Sequence, residues 1–179
     1  MMLSSVAQFS VELKTIRGHG DKHHIFAPAL ALFPSALARD ITTFPLCNTN
    51  QITMEYLKST RDCAPKSYYC AVFALDPFID WEEFSALLHA AEFHGICNFP
   101  TIPGFDEVET NALAASDYSY EMELQRIKGF AGDKFEMLIL YSSSYQLELC
   151  NRIIGKGNAH HCHVDRIADF SSCYDTKQC

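Results

Sequence analysis

Two stretches decide the fold, YYCAVFALDPF at residues 68–78 and GICNFPT at residues 95–101. Each is an apolar run of strand length that changes into polar or turn-forming residues, as at Asp76-Pro77. Between them, residues 79–93 carry apolar side chains at helical spacing and acidic side chains in the first turn. A buried strand, a turn, a helix and another buried strand make one βα unit, which predicts a parallel sheet.

The same alternation continues on both sides of this unit. The predicted strands are residues 11–16, 68–74, 95–100, 134–141 and 159–164. The predicted helices are residues 49–60, 79–93, 119–128, which Gly129 ends, and 144–153. Since a closed (β/α)8 barrel needs eight strands and roughly 250 residues, this pattern predicts a shortened, barrel-like α/β fold with parallel strands. No linker divides the chain, so we expect one domain over residues 1–179.

Composition and charge narrow the function classes. With 14 Lys and Arg against 22 Asp and Glu, the net charge of −8 disfavours a surface that could follow a nucleic acid backbone. No apolar run approaches the ~20 residues that a membrane helix needs, and residues 1–12 lack the pattern of a signal peptide. We therefore expect a cytoplasmic protein with no membrane partner. The eight cysteines form no CxxC pair and match no nucleophile motif, which predicts reduced thiols.

Polar residues at the ends of two predicted strands mark a candidate site. Asp76 follows residues 68–74, and Asn98 lies near the end of the next strand. In βα barrels the carboxyl ends of the strands converge on one mouth, where catalytic residues lie. Asp76 could bind a divalent cation or transfer a proton, or it could close the Pro77 turn through its side chain. Asn98 could stabilise an enolate oxygen, or satisfy backbone groups at the strand end.

Four motifs follow one another along the chain: ALDPF at residues 74–78, GICNFPT at 95–101, Asp106, and YEME at 120–123. In order and spacing they resemble the phosphoenolpyruvate-hydrolase-like family, whose members share a T-D-P-F turn, an N-F-P-T strand, a G-x-x-D loop and a Y-D-x-E-V-E helix start. The resemblance covers roughly residues 25–155. It implies a TIM barrel that acts on a small oxo-acid or phosphorylated metabolite by lyase or hydrolase chemistry.

The resemblance also implies roles for individual residues. The catalytic candidates are Asp76, Asn98 and Glu121, and the substrate-binding candidates are Phe78, Thr101, Asp106 and Glu123. Because Glu121 and Glu123 are two residues apart on a predicted helix, only one of them is expected to face the mouth. The chain departs from the family after its last predicted strand, where the glycine-rich turn that would surround a phosphate is missing.

The densest group of metal-ligand residues is HHCH at residues 160–163. Strand alternation places His161 and His163 on one face and the other two side chains on the opposite face. The face with His161 and His163 could bind Zn²⁺ if a carboxylate completed the set, whereas Mg²⁺ would suit Asp76. Without such a carboxylate these histidines are ordinary strand residues. The histidine pair at residues 23–24 is expected in a solvated loop.

Two functional hypotheses are left. The first is an enzyme, a lyase or hydrolase of a small oxo-acid, which requires Asp76, Asn98 and either His161 or His163 to converge on one cavity. The second is a binding or regulatory barrel that works through protein–protein interaction without turnover, as relatives with an antiviral role in plants suggest. Since five strands leave a sheet edge uncovered, we also predict a homo-oligomer, most simply a dimer.

Overall fold

A computed structural model describes residues 6–13, 22–32, 48–104, 107–116 and 118–164. Within them, one parallel sheet holds six strands that neighbour each other in chain order. The strands are β1 (Val6–Ser10), β2 (Lys22–Phe26), β3 (Tyr68–Val72), β4 (Gly95–Asn98), β5 (Glu136–Tyr141) and β6 (His160–His163). The helices are α1 (Thr49–Ser59), α2 (Trp81–Ala90), α3 (Glu107–Ala114), α4 (Tyr120–Ala131) and α5 (Ser144–Ile153). Short 3₁₀ helices occupy Pro28–Leu32 and Ile102–Gly104.

The sheet curls into a half-barrel, so that Cα atoms of the two outer strands, β1 and β6, approach within 8 Å of each other. Its concave side is filled by apolar side chains from every strand, and the rings of Phe9 and Phe99 meet across it with centroids 4.5 Å apart. The predicted α/β, incomplete barrel-like fold is therefore confirmed. The interior is a packed core, as in larger barrels of this kind.

A second apolar core lies between the convex side of the sheet and the helices. Strand β3 contributes to both cores, since Tyr69 and Ala71 belong to the inner one while Cys70 and Val72 belong to the outer one. All five residues of β3 are buried, which is why the strand reads as a continuous apolar run instead of an alternating one.

Local sequence sets where the helices begin. The Asp80 carboxylate accepts hydrogen bonds from the backbone N–H groups of Glu82 and Glu83 at the start of α2. Ser119 caps α4 in the same way, by accepting from the N–H of Met122. Side-chain caps of this kind satisfy donors that the first helical turn leaves without partners. The caps therefore fix the residues at which α2 and α4 begin.

Several elements differ from those predicted. The strand predicted at residues 11–16 is wrong over residues 11–13, because β1 has already ended at Ser10, and residues 14–16 lie outside the described residues. The pair at residues 23–24 lies in β2 and not in a loop, and helix α3 was missed. Gly129 does not end α4, which continues to Ala131 and stops at Gly132, whose positive φ of 50° a glycine adopts readily.

Two further predictions concern the oxidation state of the cysteines and the presence of membrane-spanning helices. Cys63, Cys70, Cys97, Cys150 and Cys162 are free thiols, in agreement with the expected reduced state for the cysteines in the described ranges. In the described part of the chain, no helix has both the length and the apolar character needed to cross a membrane.

Candidate functional site

Asp76 lies just after β3 and its carboxylate is bound within the scaffold. Oδ2 accepts a hydrogen bond from Nδ2 of Asn50 at 3.0 Å, and Oδ1 accepts one from the N–H of Phe78 at 2.9 Å. Asn50, on α1, also bonds both backbone groups of Phe73. Asp76 therefore closes the Pro77 turn and ties it to α1, as the structural alternative for this residue predicted.

Asn98 is fully buried at the end of β4, and its side chain continues the pairing with β5. Its Oδ1 accepts from the N–H of Leu140 at 2.7 Å, and its Nδ2 lies 3.4 Å from the carbonyl oxygen of the same residue. Nδ2 also donates to Oε1 of Glu123 at 2.6 Å and to the hydroxyl of Thr101 at 3.0 Å. The side-chain amide of Asn98 thus takes the place of a backbone hydrogen-bonding group between β4 and β5, and it also contacts helix α4.

The carboxylate of Glu123 accepts hydrogen bonds from three residues at this strand end. Besides Asn98, the hydroxyl of Thr101 donates to its Oε1 at 2.5 Å, and the N–H of Ile102 donates to its Oε2 at 2.9 Å. We call Asn98, Thr101 and Glu123 the strand-end network. Its three members are each at most 2% exposed. The network anchors the segment after β4 to the first turn of α4.

Burial changes the protonation of Glu123. It raises the pKa of the carboxyl to about 7, while the hydrogen bonds from Ile102, Thr101 and Asn98 act in the opposite direction. A carboxyl group that titrates near neutral pH at the carboxyl end of a barrel strand has the property expected of a general acid or base. The side chain is only 1% exposed, so a substrate could reach it only after the segment following β4 had moved.

A second pair of polar side chains, Tyr120 and Cys150, meets this network at the backbone of Leu140. The hydroxyl of Tyr120 donates to the carbonyl oxygen of Leu140 at 2.7 Å and lies 3.0 Å from Sγ of Cys150. Burial raises the pKa of Tyr120 above its usual range and that of Cys150 to about 11. Both groups therefore stay protonated at neutral pH, and Cys150 is a structural thiol with little nucleophilic character.

The other predicted mouth residues do not join the network. The side chain of Glu121 is 51% exposed and its carboxylate lies 3.7 Å from the guanidinium of Arg152. Of the two glutamates at the start of α4, only Glu123 therefore faces inward. Phe78 is 88% exposed beside the Pro77 turn. Asp106 lies outside the described residues.

His161 and His163 share one face of β6, as strand alternation predicted, while Cys162 belongs to the inner core. Nε2 of His163 lies 2.9 Å from the carbonyl oxygen of Ser142, so this nitrogen must carry the proton and cannot bind a metal at the same time. The ring of His161 packs edge-on against Tyr141, and burial followed by the proximity of His160 lowers its pKa. In the ranges that the structure describes, no three His, Cys, Asp or Glu side chains lie close enough together to hold a metal ion.

A cavity of about 650 Å³ lies on the outside of the barrel, between α2 and α4. We call it the α2–α4 groove. Its lining residues are Asp76, Pro77, Trp81, Glu82, Ser85, Arg126, Gly129, Phe130 and Lys134. Its volume lies within the range of small-molecule sites, roughly 300–1,000 Å³. Of the strand-end candidates, Asp76 lines this cavity, and Asn98, His161 and His163 do not.

The groove has an aromatic wall and two cations. The rings of Trp81 and Phe130 lie 4.6 Å apart, and Phe130 also packs on Phe84 beneath them. Arg126 and Lys134 are exposed on the α4 side, and neither forms an ion pair with a carboxylate of the described residues. These charges therefore remain available to a bound anion.

The groove residues were missed from the sequence although a signal was present. Arg126, Gly129 and Phe130 are spaced three and four residues apart, which places them on one face of a helix. The interpretation of Gly129 as a helix end concealed this face. Recognition of the face would still have required knowledge that α2 packs beside α4.

A different polar group, also missed, lies at the opposite end of the barrel. The ring of His23 approaches that of His160 with centroids 4.8 Å apart and meets Tyr69 edge-on. The hydroxyl of Tyr69 donates to Glu136 at 3.3 Å, and His94 lies 3.9 Å from the same carboxylate. These residues form an amino-terminal rim. Residues at this end of a barrel usually serve stability and not catalysis.

The family model described as phosphoenolpyruvate hydrolase-like matches residues 36–142, more than half of the chain. The match includes the whole strand-end network and all residues that line the α2–α4 groove. No curated protein sequence matches the chain.

Proposed function

The chain belongs to the phosphoenolpyruvate hydrolase-like family, and from this premise we propose that it uses an enzyme-like barrel to bind a small oxo-acid or phosphorylated metabolite without turning it over. The α2–α4 groove is the proposed binding site. One observation carries this proposal: Arg126 and Lys134 line the same cavity as Trp81 and Phe130, and neither is in an ion pair with a carboxylate of the described residues.

The chemistry of the lining suits such a ligand. A guanidinium donates two parallel hydrogen bonds to a carboxylate or phosphate, and an ammonium adds a mobile positive charge. The hydroxyl of Ser85, on the facing helix, can donate to a carbonyl or phosphate oxygen. Asp76 and Glu82 belong to the β3 and α2 side of the groove, so we expect the anion to lie on the α4 side, next to Arg126.

The hydrogen bonding and burial of the predicted catalytic residues favour binding over turnover. Asp76 is bound by Asn50 and by the N–H of Phe78, and Asn98 and Glu123 satisfy each other. Groups that are fully hydrogen-bonded and buried hold a scaffold together, whereas a catalytic group has to meet the substrate. The missing glycine-rich turn after β6 agrees with a barrel that has no phosphate cradle at its mouth.

Calorimetric titration with phosphoenolpyruvate tests the proposal. Wild-type protein is expected to bind, and Arg126→Ala and Lys134→Ala are each expected to weaken binding about tenfold, since a charged hydrogen bond contributes about 1.5 kcal/mol or more. Lys66→Ala is the matched control, because Lys66 is exposed and lies outside the groove. Absence of binding, or equal affinity in both groove variants and the wild type, would refute the proposal.

A second candidate function is catalysis, and the protonation of Glu123 favours it. A carboxyl group with a pKa of about 7 is well suited to proton transfer at neutral pH. If the segment after β4 opens, Glu123 could act on an oxo-acid as general acid or base, in lyase or hydrolase chemistry with Mg²⁺, Mn²⁺ or Zn²⁺ supplied from solution. Incubation with phosphoenolpyruvate and each metal tests this. Turnover that Glu123→Gln abolishes, in a variant with an unchanged circular dichroism spectrum, would support the enzyme over the binding protein.

The predicted homodimer and cytoplasmic location stay proposals. The outer strands of the described sheet are β1 and β6, and an edge strand is where a second chain can pair with a sheet. Light scattering at micromolar concentration tests the dimer, and a monomeric mass would contradict it. Fractionation of cells that express a tagged chain tests the location.

A further inference from the structure

The fold itself gives no reason for a glycine at position 129. Gly129 lies inside α4 with an ordinary helical backbone, unlike Gly132, whose φ is positive. A Cβ atom built on Gly129 would have no heavy atom within 4 Å, so no neighbour requires the missing side chain. Glycine is also a poor helix former compared with alanine.

Gly129 is one of the residues that line the α2–α4 groove. It lines the cavity next to Phe130, opposite the residues that α2 contributes. A Cβ atom at position 129 lies in open space, so a larger side chain there would take up room at this wall of the groove. The glycine leaves that room free beside the Trp81–Phe130 wall.

The open space at Gly129, beside the aromatic wall, indicates which kind of oxo-acid the groove can hold. We propose that the groove takes an oxo-acid that carries an aromatic or comparably large apolar substituent, with Gly129 as the residue that admits the substituent. The inference rests on the proposed binding function. The carboxylate would lie by Arg126 and Lys134, and the apolar group would lie over Gly129 against Trp81 and Phe130.

Size and surface chemistry both support a ligand of this class. A cavity of about 650 Å³ is far larger than a three-carbon acid requires. Aromatic rings stack favourably on other aromatic rings in offset or tilted arrangements. Trp81 is half-buried, and its ring forms part of the wall. A bare pyruvate or phosphoenolpyruvate would satisfy the cations and leave this wall uncovered.

The experiment compares phenylpyruvate with pyruvate by calorimetric titration of the full chain. Wild-type protein is expected to bind phenylpyruvate at least tenfold more tightly than pyruvate. Phenethylamine, which has a similar aromatic body and the opposite charge, is expected to bind at least tenfold more weakly than phenylpyruvate. Equal affinity for phenylpyruvate and pyruvate, or stronger binding of the amine, would overturn the inference.

Variants test the role of Gly129 directly. Gly129→Leu is expected to weaken phenylpyruvate binding at least tenfold and to leave pyruvate binding within a factor of three. Gln125→Leu is the matched control, because Gln125 is exposed on the same helix and does not line the groove. If Gly129→Leu does not fold, Gly129→Ala, whose Cβ meets no heavy atom within 4 Å, is expected to weaken phenylpyruvate binding in the same direction and to leave pyruvate binding within a factor of three. Unchanged phenylpyruvate binding in the folded variants would overturn the inference.

The result separates this inference from the proposed function. If phosphoenolpyruvate and pyruvate bind in a manner that depends on Arg126 but phenylpyruvate gains nothing, the groove is an anion site and only the aromatic preference fails. If none of the three acids binds, the proposed function fails together with the inference.

Discussion

Nδ2 of Asn98 lies 2.6 Å from Oε1 of Glu123, although the two residues are 25 positions apart in the chain. Asn98 belongs to the end of β4, and Glu123 belongs to the first turn of α4. Both are fully buried, so their hydrogen bond has no competition from water. This contact connects the sheet to the helix that forms one wall of the α2–α4 groove.

Removal of the Glu123 carboxylate is expected to destabilise the protein strongly. Glu123→Ala leaves the buried hydroxyl of Thr101 and the N–H of Ile102 without their acceptor, and it removes one acceptor of the Asn98 amide. Because each unsatisfied buried group costs about 1–3 kcal/mol, we expect a loss of about 3 kcal/mol or more in the free energy of unfolding. Urea denaturation followed by circular dichroism measures this loss.

Glu121 provides the control for that experiment. It lies two residues earlier on the same helix, is exposed, and has only a loose ion pair with Arg152. Glu121→Ala is expected to change the free energy of unfolding by less than about 0.5 kcal/mol. If both alanine variants lose the same stability, Glu123 does not have the anchoring role described above.

The pH dependence of stability gives a second prediction. The pKa of Glu123 is raised in the folded protein to about 7, so between the unfolded value near 4.5 and pH 7 the folded state binds more protons than the unfolded state. The contribution of Glu123 to stability is therefore largest below pH 4.5 and falls as the pH rises to 7. Its total change is on the order of 3 kcal/mol.

Glu123→Gln isolates this contribution, because the amide does not titrate. The difference in unfolding free energy between wild type and variant should move in favour of the variant as the pH rises from 5 to 8. Other titrating groups cancel in that difference. A difference that does not vary with pH would show that the pKa of Glu123 is not raised.

The amino-terminal rim predicts an effect of opposite sign. Burial and the proximity of His160 lower the pKa of His23, against the attraction of Glu136, while His24 and His94 act in the same direction as His160. The neutral imidazole is therefore favoured in the folded state, and its stabilising contribution is present above the ordinary value of 6.5 and lost as the pH falls below it.

His23→Gln should consequently lose less stability than the wild type when the pH is lowered from 7.5 to 5.5. Thermal melting at the two pH values measures this. His89→Gln, a change at an exposed histidine on α2, is the control and should keep the acid sensitivity of the wild type. Equal acid sensitivity of His23→Gln and the wild type would contradict the prediction.

The substitutions Gly95→Ala and Gly129→Ala are expected to change the free energy of unfolding in opposite directions. A Cβ atom on Gly95 would lie 2.5 Å from Cδ1 and Cε1 of Tyr69, so the buried ring would have to move. Gly95→Ala is therefore expected to cost about 1–3 kcal/mol. Gly129→Ala meets no obstacle and should stabilise α4 by up to about 1 kcal/mol. Denaturation of both variants checks the pair, and equal signs would contradict the described packing.

The elements that the sequence predicted well have a strong local pattern. Strand β3 is an uninterrupted apolar run, and α5 was predicted with its observed bounds, Ser144–Ile153. Strand β2 was missed because its sequence, KHHIF, has polar residues at the rim and only its last residues in the core. Helix α3 was missed because EVETNALA lacks a continuous apolar stripe.

The candidate site was predicted less completely than the fold, for reasons of tertiary contact. The sequence identified Asp76 and Asn98 as residues at strand ends and Glu123 as a residue at the start of a helix, and each lies there. It could not show that Asn50 would bind Asp76, or that Glu123 would be buried between β4 and α4. The groove depends on the packing of α2 beside α4, which no local pattern encodes.

The most direct test of the account is an NMR titration of the isotopically labelled full chain with phosphoenolpyruvate. If the metabolite binds in the α2–α4 groove, the amide signals of Ser85, Gly129 and Lys134 should shift in a saturable manner. Those of Asn98 and Thr101 should shift little. Shifts concentrated at Asn98 and Thr101 would place the ligand at the strand ends and contradict the account, as would a spectrum that phosphoenolpyruvate leaves unchanged.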